Sequence, residues 1–239
     1  MSFFRRLSKG ISGDAGSKKP ETDSDAINSL SSTYVTLETK LNLNSTGRSA
    51  VCIKRVNTSQ FNEMKQEIEN FLDASKADFE LTFRTVIDPY DYLWIIIISK
   101  TVEDNVAAIT SIGDTIDQKG FSDRLLASVF EFNNGNITQY LIYNYKLDKF
   151  YPFVPIGQQQ KQKQRNHREE MKIMSAIAHE LPFEKDMAHW YPIGIFLLDF
   201  KWSLRIWNYS LAFEDFFCFT NGNIRIWNYN IRFDNFFIV

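Results

Sequence analysis

The run YLWIIIIS at residues 92–99 is the feature that most restricts what this chain can fold into. A strand that is apolar on both faces is stable only where both faces are covered, so the run predicts a central strand of a sheet. It is far shorter than the roughly 20 apolar residues needed to cross a bilayer, so it does not predict a membrane span. The chain is therefore expected to build a layered fold around this strand.

The spacing of apolar residues along the chain predicts the other helices and strands. Residues 58–73 carry apolar side chains at helical spacing, and residues 79–83 alternate as in a half-buried strand. A second helix is predicted from Thr101, where Asp104 makes a start like a capping box although Asp is shorter than the usual Glu, to a stop at Gly120. Three strands follow at residues 125–132, 137–145 and 150–154, and then a third helix that ends at Pro182.

The resulting order is helix, two strands, helix, three strands, helix. The simplest arrangement for it is a single α+β domain, in which a meandering antiparallel sheet has its helices on one face. The segment NNGN at residues 133–136 predicts a hairpin turn, and Pro152 and Pro155 place the last strand at a sheet edge or at an exit from the sheet.

The chain divides into three predicted regions. Residues 1–29 comprise an amphipathic start and a flexible linker with few large apolar side chains, and residues 30–192 form the domain, with a turn at residues 44–47. Residues 193–239 form an aromatic tail in which RIWNY, at 205–209, recurs at 225–229. The tail has two interpretations, a pair of appended β-hairpins or sequence without a selected fold.

No pattern predicts catalysis or a bound cofactor. The histidines lack the four-residue spacing of zinc hydrolases. Cys52 and Cys218 lack the spacing of paired metal-binding thiols, so both are expected to be ordinary buried thiols. The adjacent Glu169 and Glu170 are expected on a solvated helix face, where nothing separates their pKa values. We therefore expect a protein that is not an enzyme and needs no cofactor.

The charges balance almost completely. With 27 Lys and Arg against 29 Asp and Glu, the formal net charge is −2, so no basic field indicates nucleic-acid binding. The basic run at residues 161–168 has two interpretations, a solvated linker that leads into a helix or a contact for an acidic partner or anionic lipid.

Eight short segments in a fixed order resemble the PspAB family. They are TLE at 36–38, TGRSAVC at 46–52, DYLW at 91–94, FEF at 130–132, YLIYNYK at 140–146, FYPFVP at 150–155, ELP at 180–182 and WYP at 190–192. After Pro192 the chain departs from the family pattern, which would predict only a short tail.

The resemblance implies a function without implying catalytic residues. It implies association with the phage-shock-type protein PspA, which itself resembles a long coiled coil, and a grouping with a membrane protease of the HtpX type. The implied role is a non-catalytic adaptor or regulator in the membrane (envelope) stress response. The predicted fold is also similar to the YbjN and secretion-chaperone type, which implies the alternative of a chaperone-like client-binding module.

A partner-binding surface is predicted on the last two strands, where long aromatic side chains and prolines at a sheet edge offer contact area. The candidate residues are Tyr143, Tyr145, Phe150, Tyr151 and Phe153. Because the adjacent Phe150 and Tyr151 must point to opposite faces, at least one of them is expected at a contact. The alternative is that all these aromatic side chains pack beneath the third helix.

A membrane-contact segment is predicted at the start of the chain, where apolar and cationic side chains fall on different arcs of a helical wheel. The residues are Phe3, Phe4, Arg5, Arg6, Leu7 and Lys9. The alternative is a disordered start. The expected location is cytoplasmic, with peripheral contact at the inner face of the membrane.

Overall fold

The computed structural model describes residues 22–156 and 165–191, all of which belong to one unit of the chain, Met1–Leu198. The helices are α1 (Thr22–Leu41), α2 (Ser59–Phe79), α3 (Val102–Gln118) and α4 (His167–Ile177). The strands are β1 (Asn44–Lys54), β2 (Thr82–Ile87), β3 (Tyr92–Ile98), β4 (Leu125–Asn133), β5 (Thr138–Asn144) and β6 (Lys149–Phe153).

The six strands form one open antiparallel sheet in the order β2-β3-β1-β4-β5-β6. A hairpin of β2 and β3 lies on one side of β1, and a meander of β4, β5 and β6 lies on the other. β3 is an interior strand and is buried on both faces from Leu93 to Ile97, as its sequence predicts. The prediction of a single α+β domain with an antiparallel sheet is confirmed.

The helices pack on one face of the sheet, here called the helix face. Ser49 of β1 donates from Oγ to Oδ1 of Asn105 in α3 at 2.7 Å, and the ring of Phe132 in β4 stacks on Tyr34 of α1. The register of β1 with β4 places Ser49 and Phe132 on the same face. α2 belongs to the same layer, because Phe61 near its start contacts Phe121, which lies just beyond the end of α3. α4 lies beside α1.

The opposite face, here called the second face, is apolar at its centre. One row of paired residues crosses it from β3 to β6, and its members are Ile96, Ala50, Val129, Ile142 and Tyr151. Cys52, Trp94 and Phe153 also lie on this face, and the ion pair between Arg48 and Glu131, at 3.2 Å, lies towards one end of it. The strands thus present apolar side chains on both sides of the sheet.

α1 corrects the predicted linker, because residues 22–29 are helical rather than flexible. Ile27, Leu30 and Leu37 recur at helical spacing and are buried. The surrounding Ser, Thr and Asp residues have low helix propensity, so tertiary burial and not local preference stabilises this helix.

The predicted turn at residues 44–47 is also wrong, since these residues form the start of β1. The turn-like composition produces a bulge, where Gly47 has φ 76° and the register with β4 shifts between Ser45 and Ser49. The turn-like residues 44–47 therefore do mark a departure from regular geometry, but it is a bulge within a strand rather than a turn.

α2 runs to Phe79, beyond its predicted end near Asp73, and β2 begins only at Thr82. The predicted cap of α3 is confirmed, because Thr101 Oγ1 accepts the backbone N–H of Asp104 at 3.1 Å. The hairpin between β4 and β5 is confirmed as well, with Gly135 at φ 90° in its turn.

Candidate partner-binding site

A shallow groove of about 500 Å³ opens to solvent where the end of α1 meets α4. Its lining comes from two segments that are far apart in sequence. The residues are Lys40, Leu41, Arg168, Met171, Lys172, Ser175, Ala176 and His179. We call it the α1–α4 groove.

The α1–α4 groove is lined by both apolar and cationic side chains. Met171 is exposed at 37%, and Lys40, Arg168 and Lys172 are exposed around it. Its lining contains no carboxylate. Lys172 forms an ion pair with Glu169 at 2.7 Å, and His179 lies 3.3 Å from Glu180, both carboxylates being outside the lining. Met is flexible and polarizable, so it adapts to varied apolar partners, and the surrounding cations favour an acidic one.

The sequence of α4 places these side chains on its outer side. Met171 and Lys172 lie three and four residues after Arg168, and Ser175 lies four and three residues after them, while Ile173 and Ile177 are buried on the other side. Asn166 caps the helix by accepting the N–H of Glu169 at 3.3 Å. An amphipathic pattern and a cap thus fix which face of α4 meets solvent.

Arg165 and Glu170 hold α4 against the end of β6. Arg165 Nε donates to Glu170 Oε1 at 2.9 Å, and the same oxygen accepts the backbone N–H of Val154 at 3.0 Å. Arg165 also donates to the carbonyl oxygens of Pro152 and Trp190. Glu170 is fully buried, so the expectation that it lies on a solvated helix face is wrong, and Arg165 is not part of a solvated linker.

A side-chain contact ties α1 to the segment that follows α4. Thr36 Oγ1 donates to Glu180 Oε1 at 2.8 Å, and the same carboxylate oxygen lies 3.3 Å from Nε2 of His179. Both helices that form the groove are therefore anchored, α4 at its start and α1 to the segment that follows α4.

The aromatic residues predicted to bind a partner are divided between the two faces of the sheet. Tyr143 and Phe150 lie on the helix face, and Tyr151 and Phe153 lie on the second face, so neighbouring residues do point in opposite directions. Tyr145 contacts Tyr143 edge to face, with 5.0 Å between ring centroids.

Four of these five aromatic side chains are buried, at no more than 3% exposure, and Tyr145 is half-buried. The expectation that they form an exposed surface is corrected, because the aromatic rings fill the core on both sides of β5 and β6. Their partner-binding role stays a prediction.

The edge of β6 is occupied. Phe150 donates its N–H to the Pro182 carbonyl and accepts the N–H of Glu184, both at 2.8 Å, which forms a parallel bridge to Phe183. The backbone N–H and C=O of Phe150 at this edge are therefore already hydrogen-bonded, and this part of β6 is not open to a partner strand.

Neither a metal-binding cluster nor a reactive thiol is found among the described residues. Within residues 22–156 and 165–191, no three His, Cys, Asp or Glu side chains lie close enough to hold a metal ion. Burial, together with the nearby Asp88, raises the pKa of the Cys52 thiol to about 12, so it is protonated at neutral pH.

Several predictions concern residues outside the described part of the chain. They include the membrane-contact set at residues 3–9, most of the basic run at 161–168, Cys218 and the repeats of the aromatic tail. Among the helices that are described, none has the length and apolar character needed to span a membrane.

The sequence did not indicate the α1–α4 groove. Arg168 belongs to the basic run noted above, but Lys40 and Lys172 carry no signal of their own. The spacing of Arg168, Lys172 and Ser175 along one helix could have indicated an exposed cationic face. Its pairing with Lys40 depends on tertiary contacts between segments more than 100 residues apart.

Comparison with known proteins identified one family. The model described as PspAB, PspA associated protein B, matches residues 1–196. No curated protein and no solved structure matches the chain.

Proposed function

This chain belongs to the PspAB family, PspA associated protein B, and we propose on that basis that it binds a PspA-type protein and acts by binding rather than by catalysis. The family match carries the proposal, because residues 1–196 include every described element. The corresponding role is a non-catalytic adaptor or regulator in the membrane stress response. The protein would act in the cytoplasm, at the inner face of the membrane.

We assign the contact to the α1–α4 groove. A PspA-type protein resembles a long coiled coil, and two neighbouring helices offer a third helix a groove into which its side-chain ridges can pack. Met171 and Leu41 provide apolar contact area in this groove. The groove is solvent-exposed, whereas the aromatic side chains of β5 and β6 are mostly buried.

The charges in the groove determine which side of a partner helix can bind to it. Lys40, Arg168 and Lys172 line the groove without a carboxylate among the lining residues, and Lys172 is paired with Glu169 outside the lining. An amphipathic helix with an acidic flank meets both requirements, because its apolar stripe faces Met171 while its carboxylates face the cations. Such complementarity mainly raises the association rate and the specificity.

The test is a binding measurement with the PspA-type protein of the same organism. The variant Lys40→Glu/Arg168→Glu should bind at least about tenfold more weakly, with most of the loss in the association rate and with a reduced dependence on salt. Met171→Ala should weaken binding through the dissociation rate. Lys54→Glu, an exposed charge reversal at the end of β1, is the matched control and should bind normally.

The outcomes separate this function from its alternatives. Unchanged binding by a folded double variant would exclude the groove, and no binding by the parent chain would exclude the PspA association. Equal binding to unrelated unfolded peptides would favour the chaperone-like module. Sedimentation with anionic liposomes, lost on deletion of residues 1–11, would support the membrane contact, whereas the association with an HtpX-type protease needs its own pull-down.

A further inference from the structure

The two edges of the sheet differ in how their backbone groups are used. At the β6 edge, the outward N–H and C=O groups of Phe150 and Val154 are all hydrogen-bonded to groups within residues 166–184. Pro152, which lies between them, has no N–H, and its carbonyl oxygen accepts a hydrogen bond from Arg165 at 3.0 Å. The β6 edge therefore has no outward group left to pair with a further strand.

β2 forms the other edge, and its outward backbone groups are those of Phe83, Thr85 and Ile87. The N–H of Asp88 donates to the carbonyl oxygen of Tyr92 at 3.0 Å, which fixes the hydrogen-bonding pattern between β2 and β3. Because hydrogen-bonded and non-bonded pairs alternate along an antiparallel ladder, the even-numbered residues of β2 bond to β3 and the odd-numbered ones face away from it. In the part of the chain that the structure describes, no backbone group pairs with these outward groups.

The burial of β2 agrees with an open edge. Its interior residues are only half-buried, whereas β6 is buried along almost its whole length, and Ile87 is 48% exposed. From α2, the Lys76 ammonium lies 4.7 Å from the ring centre of Phe83, and Glu69 accepts the hydroxyl of Thr85 at 2.8 Å. Both contacts involve side chains on the helix face, so they leave the outward backbone groups of β2 unbonded.

We propose that β2 pairs antiparallel with β2 of a second copy of the chain, about a two-fold axis at Thr85. In this register Phe83 lies opposite the partner's Ile87, and every outward N–H and C=O of β2 gains a hydrogen bond. On the helix face the exposed Ile87 then packs beside a phenylalanine ring. On the second face Arg84 lies opposite the partner's Val86, so like charges are not directly opposed.

The neighbouring registers that also bring outward groups together are less favourable. A shift that centres the axis on Arg84 places two guanidinium groups directly opposite each other. A shift to Val86 places Phe83 opposite Pro89, which has no N–H to donate. The sequence of β2 therefore selects the register centred on Thr85.

The state of the two edges favours a closed pair over an open-ended assembly. Once β2 has paired, the β6 edge of each copy is already occupied, so further strands cannot add. The sequence of β2, TFRTVI, contains no lysine or proline, and its pairing with β3 has no bulge; these are the features by which edge strands usually avoid association. The inference does not depend on the PspA association, because β2 contributes nothing to the lining of the α1–α4 groove.

Analytical ultracentrifugation of the full chain tests the association. We expect a monomer–dimer equilibrium that Ile87→Lys weakens at least about tenfold, because the substitution acts at two symmetric positions and places a charge against Phe83. Val35→Lys is the matched control, since Val35 is 59% exposed on α1, and it should leave the equilibrium unchanged. A chain that stays monomeric up to about 1 mM, or equal effects of the two substitutions, would overturn the proposal.

Disulfide formation tests the register. In the two-fold arrangement the Cα atoms of the two Thr85 residues are about 5.5 Å apart, which a disulfide spans, whereas those of the two Ile87 residues are roughly 14 Å apart. In a Cys218→Ser background, oxidation with copper phenanthroline should link Thr85→Cys chains into dimers faster than Ile87→Cys chains, although Ile87 is the more exposed position. The parent Cys218→Ser chain, whose Cys52 is buried, should not link. Equal or faster linkage through Ile87→Cys contradicts the proposed register.

Hydrogen exchange distinguishes a second copy from another occupant of the edge. Protection of the amides of Phe83, Thr85 and Ile87 should rise with protein concentration, in step with the dimer. The amides of Arg84 and Val86, which bond to β3, should be protected at every concentration. Protection of the outward amides that is already complete in the monomer would show that another segment of the same chain occupies the edge, and would overturn the proposal.

Discussion

Arg165 and Glu170 are five residues apart and form an ion pair at 2.9 Å, with Glu170 entirely excluded from solvent. The pair joins the loop before α4 to the first turn of that helix, and the backbone N–H of Val154 brings the end of β6 into the same contact. Burial of the Glu170 carboxylate costs desolvation free energy, which is compensated only while its hydrogen-bonding and ionic partners are present. The ion pair is therefore expected to have a structural role.

Removing half of this ion pair should destabilise the protein strongly. Arg165→Met leaves the Glu170 carboxylate buried without its cation, and we expect a loss of about 3–5 kcal/mol in the free energy of unfolding. Glu169→Gln, which removes a neighbouring exposed ion pair with Lys172, should change it by less than about 1 kcal/mol. Urea unfolding measures both. Equal effects of the two substitutions would show that the buried pair has no special role.

Two glycines with similar backbone angles should respond differently to alanine. At Gly47, with φ 76°, a Cβ atom would overlap the carbonyl oxygen of Ser99, so Gly47→Ala should lose at least about 2 kcal/mol of stability. At Gly135, with φ 90°, a Cβ atom meets nothing within 4 Å, and the loss should be about 1 kcal/mol. Thermal unfolding of the two variants compares them. If Gly135→Ala is the more damaging, the close approach at Gly47 is not what matters.

Tyr151 should behave as a core residue. Tyr151→Ala and Leu141→Ala remove large buried side chains from opposite faces of the sheet, and each should lose about 2–5 kcal/mol in the free energy of unfolding. Tyr151→Phe retains the ring and should lose only about 1 kcal/mol, from the hydrogen bond to Tyr191. Chemical denaturation gives all three values, and a fully stable Tyr151→Ala variant would contradict this assignment.

Glu184 should contribute to acid sensitivity. The backbone N–H of Asp186, at 2.8 Å, and then Lys149 hold the pKa of Glu184 below its ordinary value of 4.5. Because the folded state favours the ionised form, this contribution is complete above pH 4.5 and is lost as the pH falls through the lower, folded-state pKa. Glu184→Gln should therefore flatten the stability profile in that acidic range, measured by urea unfolding. The exposed Glu38→Gln serves as control, and a profile unchanged by Glu184→Gln would contradict the assignment.

The sequence predicted most strands and α3 because their signals are local. The apolar run of β3, the Thr101 cap and the turn containing Gly135 each act within a few residues. α1 was missed because its Ser- and Thr-rich sequence has little intrinsic helix preference and depends on packing against α3 and α4.

The site was harder to predict than the fold. For the aromatic residues of β5 and β6, the sequence leaves both a surface and a packed core open, because alternation indicates which side a residue takes but not whether that side is covered. The edge of β6 is filled by residues 182–184, about 30 positions later, and the groove joins Lys40 to Arg168. Contacts over such separations leave no periodic signal in one sequence.

The position of β1 also has a consequence during synthesis. β1 emerges first among the strands, yet it becomes the middle of the finished sheet, and its partners β3 and β4 follow at residues 92 and 125. A nascent chain that has not reached β4 exposes one whole side of β1 for pairing with neighbouring chains on the polysome. Chains truncated ahead of residue 125 should therefore be aggregation-prone, whereas chains that extend past residues 182–184, the segment that occupies the β6 edge, should not.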